Sequence, residues 1–257
     1  MNPRGYLSVA LAVTWRHLNN LVKNPALFMP PLVFPLFFFT AFAGGLSAVG
    51  NAPDFGYPDY TAFQFVFVLL QASAFGGVFT GFSIAADWES GFAQRMMLAA
   101  PHRSALIFGY TLAAMIRTVV IGALLFLVAL ATGMQVGGDG VEIGGLIGLA
   151  LTLNVAATLF GAGVSLRFRT MQAAPALQTP VFLFLFLAPV YTPRPLLAGW
   201  IHSVADINPA TALLEAGRAL VAGLPADGAL AFGAAGALAL LFAAWALRGM
   251  RSAENAA

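Results

Sequence analysis

The sequence predicts an all-α, polytopic membrane protein, and three observations carry that prediction. Of 257 residues, 60% are hydrophobic and 9% charged, against roughly 45–50% and 25% in soluble domains. A soluble chain of this length could not hide so much apolar surface. The apolar residues fall into six runs, each long enough to cross a bilayer as a helix, which takes about 20 residues. Between those runs the basic residues are sorted, with nearly all of them on one side.

Each element can be justified in turn, within a single membrane domain covering residues 1–257. The stretch "YLSVALAVTW" at 6–15 has the look of a secretory leader, but no small-residue cleavage pattern follows and the charged "RHLNNLVKN" comes at once. Residues 5–23 therefore read as a helix lying along the membrane surface. Six spans follow, at about 26–49, 60–86, 104–132, 142–166, 174–191 and 226–247. They are helices because lipid requires each segment to satisfy its own backbone, and they are far longer than barrel strands. Pro30, Pro31 and Pro35 in the first run, and Pro175, Pro180 and Pro189 in the fifth, predict bends.

The charges set the orientation. Arg4, Arg16, Lys23, Arg95, Arg103, Arg167, Arg169, Arg248 and Arg251 fall on one side of a six-span arrangement, and only Arg194 and Arg218 on the other. That asymmetry places both termini in the cytoplasm, with the chain in the cell membrane. Arg117 lies inside the third run. Either it is a functional intramembrane charge, or the third helix begins below the membrane and Arg117 snorkels to the interface.

One cytoplasmic segment interrupts the apolar chain: "SIAADWESGFAQRMMLAAPHRSALIFG", residues 83–109. Residues 87–100 read as one short helix, with Asp87 as its cap, Glu89 in its first turn, Arg95 further along and Pro101 closing it. Trp88, Phe92, Met96 and Ala99 then form an apolar stripe. Such a stripe presses on the membrane surface or its own protein, or fits a groove on a soluble partner; periodicity leaves both open. The outer segment 192–223 also reads as partly helical and dipping back toward the membrane. Asn208 caps a helix with Pro209 at its first position, Glu215 and Arg218 stand one turn apart, and Gly223 ends it.

Several chemistries are excluded. There is no Cys, and His17, His102 and His202 are scattered, so no metal site is expected. No G-x-x-x-x-G-K-[ST] loop occurs, so this chain does not bind ATP by that chemistry, and no cofactor is expected on it. No G-x-S-x-G turn suggests a hydrolase. A net charge of +2 gives no reason to expect a nucleic-acid partner. A channel or carrier stays open, although apart from Arg117 the spans show neither charge pairs nor repeated halves. "EAGRALVAG" at 215–223 echoes the E-A-A-x-x-x-G loop of importer permeases, but with the wrong glycine spacing and on the wrong side.

The order Asp87–x–Glu89–x–Gly91, then Arg95, then Pro101, Arg103, Ser104, Ala105 and Gly109 resembles the cytoplasmic loop of type-2 ABC (ATP-binding cassette) exporter permeases. The similarity is greatest to the antibiotic-resistance branch typified by the daunorubicin exporter. "INPATALLEAGRALVAG" at 207–223 is similar to that family's Asn-Pro-x-Thr segment, whereas "FLAPVYTPRP" at 186–195 departs from the small-residue pattern expected there. The resemblance implies a coupling helix, involving Asp87, Trp88, Glu89, Gly91, Phe92, Arg95, Met96, Pro101 and Arg103, that sits in a cleft of a separate ATPase. It also implies two ATPase copies carrying ATP and Mg, and a second permease chain, identical or related. The path would run between permeases, with Phe63, Gln64, Phe67, Gln71 and Phe75 on the second span and Gln178, Phe182 and Phe186 on the fifth as candidate lining. The aromatic character favours a drug, polyketide or lipid cargo, with a polysaccharide or lipid-linked glycan as the alternative.

Overall fold

A computed structural model describes residues 3–100 and 102–254; Pro101 lies outside the described residues. Among these the regular elements are helices: α1 Pro3–Lys23, α2 Pro25–Gly45, α3 Tyr60–Glu89, α4 Phe92–Ala99, α5 Ser104–Ala131, α6 Gly140–Phe168, α7 Ala174–Phe186, α8 Trp200–Ile207, α9 Pro209–Ala222 and α10 Gly228–Glu254. Local sequence sets the starts. Asp59 accepts from the amides of Thr61 and Ala62 at 3.0 Å to begin α3, and Asp139 with Glu142 closes a capping box at α6. Asn208 accepts from Ala210 N at 3.0 Å with Pro209 behind it, and Gly223 ends α9 at φ +69°.

The hub is α3, which packs against α2, α5, α6, α7 and α9 and is buried along almost its whole length. Its closest neighbour is α6. A Cβ built on Gly77 would sit 2.3 Å from the Ala157 carbonyl carbon, so only glycine lets these backbones meet, as small residues do between membrane helices. The far side of α6 packs on α10. Leu127 on α5 and Leu230, Leu240 and Leu241 on α10 face outward, as lipid-facing side chains do. On α1, Ala10, Val13, Thr14, His17 and Leu21 are buried while Leu7, Leu11, Trp15 and Val22 are exposed. That makes α1 an amphipathic helix with an apolar outer stripe.

Among the described residues four helices, α3, α5, α6 and α10, are long and apolar enough to cross a membrane. The first run gives α2, 21 residues long, whose described apolar stretch is Met29–Gly45, and the fifth gives a shorter apolar helix over Met171–Phe186. The last five residues of the fifth run, 187–191, fall outside its helix. Pro175 lies in the first turn of α7, where proline is tolerated, and α7 stops at Phe186, three residues before Pro189. Its 13 residues span about 20 Å, short of the ~30 Å hydrocarbon core. Pro180 does sit inside α7, and Pro30, Pro31 and Pro35 sit inside α2.

Residues 87–100 are likewise not one helix. Asp87, Trp88 and Glu89 complete α3; the chain turns at Ser90 and Gly91, and α4 starts at Phe92. Gly91 takes φ +70°, which glycine adopts without the Cβ penalty. Asp87 therefore caps nothing, and Glu89 is in no first turn.

Candidate functional site

The two acids of "DWES" fasten helix ends together. Arg16 of α1 donates from Nη1 and Nη2 to the Asp87 carboxylate at 2.9 and 2.7 Å, and the Tyr110 hydroxyl of α5 donates to the same group. The charged hydrogen bonds to Asp87 raise the Arg16 pKa above its ordinary value. Glu89 accepts from Thr170 Oγ1 at 2.6 Å and Met171 N at 2.8 Å, tying the end of α3 to the turn before α7. Between them Trp88 is buried beneath the Arg169 guanidinium, 4.8 Å from its ring. His17 sits edge-on to Tyr110 with ring centroids 5.7 Å apart. Burial pushes its pKa down to about 4, so it is neutral at pH 7.

Against this braced end lies α4. Ala93 and Met97 are buried beside Ile84, Trp88, Leu106 and Ile107. Phe92 and Met96 are half-buried, with the Arg16 guanidinium 3.9 Å above the Phe92 ring and Arg95 at 5.7 Å. Gln94, Arg95 and Ala99 face outward, and Leu98 is 78% exposed. Of the expected stripe, Trp88 is buried and Met96 packs beside it, but the buried residues of α4 are Ala93 and Met97 and Ala99 faces outward, because the turn at Gly91 resets the helical phase. Sequence reasoning missed Leu98, which only the buried face of α4 singles out. Arg103 stands at the N-cap position of α5. Ala105 is fully buried, and a Cβ on Gly109 would lie 2.6 Å from Ala10 O. At that crossing of α1 over α5, Thr14 Oγ1 donates to Gly109 O at 3.0 Å.

The path candidates divide. Phe75 meets Phe182 at 4.7 Å and Phe67 meets Phe186 at 5.5 Å between ring centroids. Three rings from α2 complete this seam, with Phe34–Phe75 at 5.7 Å, Phe38–Phe186 at 5.6 Å and Phe42–Phe67 at 6.4 Å. Their spacing of four residues was the available signal. Phe63 belongs elsewhere, packed with Phe55 and Tyr57 under the Arg218 guanidinium. Gln64 is buried and donates to the Tyr60 hydroxyl at 2.8 Å and Val190 O at 3.3 Å. Gln71 is buried with neither amide atom partnered. Within one chain the α3 candidates are enclosed, while Gln178 is exposed and Phe182 and Phe186 are half-exposed.

In the outer segment Glu215 pairs with Arg194 at 3.1 Å, not with Arg218. Arg218 is 1% exposed and donates to Phe63 O, Pro189 O and Val190 O at 3.3, 2.7 and 3.1 Å. Arg117 is 3% exposed, packed against α3, where Nη2 donates to Gly76 O and to Thr80 Oγ1 at 2.9 Å. Its guanidinium turns inward to the backbone of α3.

Comparison with curated proteins gives no match. The family model described as "ABC-2 type transporter" matches residues 9–221, which takes in most of α1, the knot at Asp87, α4, the aromatic seam and nearly all of α9. The chain belongs to the ABC-2 type transporter family, as the membrane permease component of an ABC transporter.

Proposed function

We propose that this permease works in an ATP-driven exporter moving a hydrophobic or amphipathic cargo out of the cytoplasm or inner leaflet. Two permease chains would face one another, each served by one ATPase copy that binds ATP and Mg. In this reading α2 and, despite its length, α7 also count as spans, giving six, with both termini cytoplasmic in the cell membrane. The observation that carries the reading is α4. It is a short helix outside the long apolar ones, fixed from behind through Ala93 and Met97 and braced by the Arg16–Asp87–Tyr110 knot. Its outer edge of Arg95, Leu98 and Ala99 is left open. A lever must be stiff at its base and free at its tip, and this one is both. ATPase closure would push α4, and the knot would pass that push directly to α1, α3 and α5. The seam of Phe67, Phe75, Phe182 and Phe186 with Phe34, Phe38 and Phe42 supports an apolar cargo, drug, polyketide or lipid, over a glycan.

The test is Leu98→Asp. Losing a docked apolar anchor and burying a lone carboxylate each cost on the order of 2 kcal/mol or more, so co-purification of the ATPase should weaken by at least about a hundredfold. Leu98 has no core contact to lose, so the permease should insert normally. Wild-type co-purification and cargo-stimulated ATP hydrolysis in this variant would remove α4 as the docking element.

A further inference from the structure

Arg117 carries a charge that nothing among the described residues neutralises. It sits midway along α5, about 20 Å from the helix start at 1.5 Å per residue, and its Nε has no partner. The ion pairs formed elsewhere do not include it. Asp87, which borders the same cavity, is already held by Arg16 and Tyr110. An uncompensated cation at such depth is costly and in membrane helices marks a site of function.

The cavity itself shows what would balance it. About 290 Å³ of space lies between α1, α2, α3 and α5, bordered by Arg16, His17, Asn20, Phe79, Phe82 and Arg117. The His17 Nε2 is a second buried polar atom without a partner. Hydrogen-bond donors thus gather at one wall and phenyl rings at another, with no free carboxylate to answer the charge. We propose that this cavity binds the anionic headgroup, phosphate or carboxylate, of an amphiphile. Arg117 is its counter-ion, His17 and Asn20 are neutral hydrogen-bonding partners, and Phe79 and Phe82 lie against the start of its tail. The site stands apart from the exporter reading, because binding is measured without ATP hydrolysis.

The experiment uses the full chain, delipidated in an uncharged detergent and titrated with dioctanoyl phosphatidic acid while the thermal unfolding midpoint is followed. Phosphatidic acid should raise the midpoint, and dioctanoylglycerol, with the same tails and no charge, should not. Arg117→Gln should weaken the phosphatidic acid response at least about tenfold in concentration, the factor that 1.4 kcal/mol represents. Arg248→Gln, which removes an exposed charge on α10, should leave the response unchanged. Inorganic phosphate matching phosphatidic acid would support the site and assign it to free anions; a much weaker phosphate response would assign it to lipid. Should Arg117→Gln fail to fold, Asn20→Trp closes the cavity from an exposed position, and Arg117→Lys keeps the charge. The first should lose the response and the second keep it. The proposal is overturned if phosphatidic acid gives no shift, if dioctanoylglycerol gives the same shift, or if Arg117→Gln or Asn20→Trp responds like the wild type.

Discussion

Arg117 and Arg218 are both nearly inaccessible, both lack a carboxylate partner among the described residues, and both reach for backbone of α3, yet their surroundings differ in kind. Arg218 lies on α9, and its Nε, Nη1 and Nη2 each meet a carbonyl while the guanidinium plane stacks on the Phe63 ring at 3.4 Å. Two of those carbonyls, Pro189 O and Val190 O, belong to the irregular segment where α7 has already ended. Non-helical backbone inside a membrane protein survives only where other groups satisfy it. Arg218 is that other group, so its charge is spread over dipoles that need it. Arg117 serves partners that do not need it. Gly76 O also accepts from Thr80 Oγ1 at 2.9 Å, and the guanidinium keeps an unused donor beside a cavity. One arginine is consumed by the fold, and the other is held ready by it.

The sharpest way to break this contrast is Arg218→Met. It keeps the apolar contact with Phe63 but orphans Pro189 O and withdraws one of the two donors, Gln64 being the other, from Val190 O. Buried unsatisfied carbonyls and lost charged hydrogen bonds together cost roughly 3–5 kcal/mol. The expected fall in unfolding midpoint is on the order of 10 °C, with loss of the α7–α9 junction seen as new proteolysis between residues 187 and 199. A midpoint within a degree of the wild type would mean that this irregular backbone needs no internal donor.

A second, slightly smaller effect concerns His17, which borders the Arg117 cavity. Its folded-state pKa of about 4 lies below the ordinary 6.5, chiefly through burial, with Arg117 and Arg16 opposing protonation and Asp87 favouring it. Between those two values the unfolded chain binds the proton and the folded chain does not. Stability is therefore whole above pH 6.5 and drains away as pH falls toward 4, by up to about 3 kcal/mol. His17→Gln removes that slope, whereas carboxylate titration remains in both proteins. Measuring unfolding midpoints of both from pH 7 to 4.5 isolates the difference; parallel curves would show that His17 protonates freely in the folded state.

The legibility of these two regions from sequence was unequal for physical reasons. Helical class and the start at Asn208, with Pro209 behind it, are local, and local rules expose them. The turn at Gly91 is also local, yet an unbroken count from Trp88 to Ala99 runs straight through it and so overlooks Ala93 and Met97, the residues α4 buries. Asp87 and Glu89 looked like helix-capping acids because their partners, Arg16, Tyr110 and Thr170, are 71, 23 and 81 residues away. The same distance hid Arg218, whose neighbour Glu215 offered a plausible one-turn pair while its carbonyl partners lay 28, 29 and 155 residues off. Arg117 was visible as an anomaly. Whether it reached water or turned inward depends on where Gly76 and Thr80 sit, which no periodicity encodes.

The smallest predicted effect completes the contrast. Arg117→Gln, in the delipidated protein without added amphiphile, should change the unfolding midpoint little. The bonds it loses leave nothing stranded: Gly76 O keeps its helical amide and the Thr80 hydroxyl, and Thr80 keeps Gly76 as acceptor. Against that small loss stands relief from holding an unpaired guanidinium out of water, and replacing buried charge with a neutral side chain is often neutral or stabilising. The two should offset to within about 1 kcal/mol, or roughly 2–4 °C for a chain of this length, with the balance toward stabilisation. The same variant in the presence of phosphatidic acid should fall behind the wild type, because only the wild type gains from the ligand. A collapse like that of Arg218→Met would mean that both arginines are struts, and that the cavity beside Arg117 is a packing gap around a structural charge.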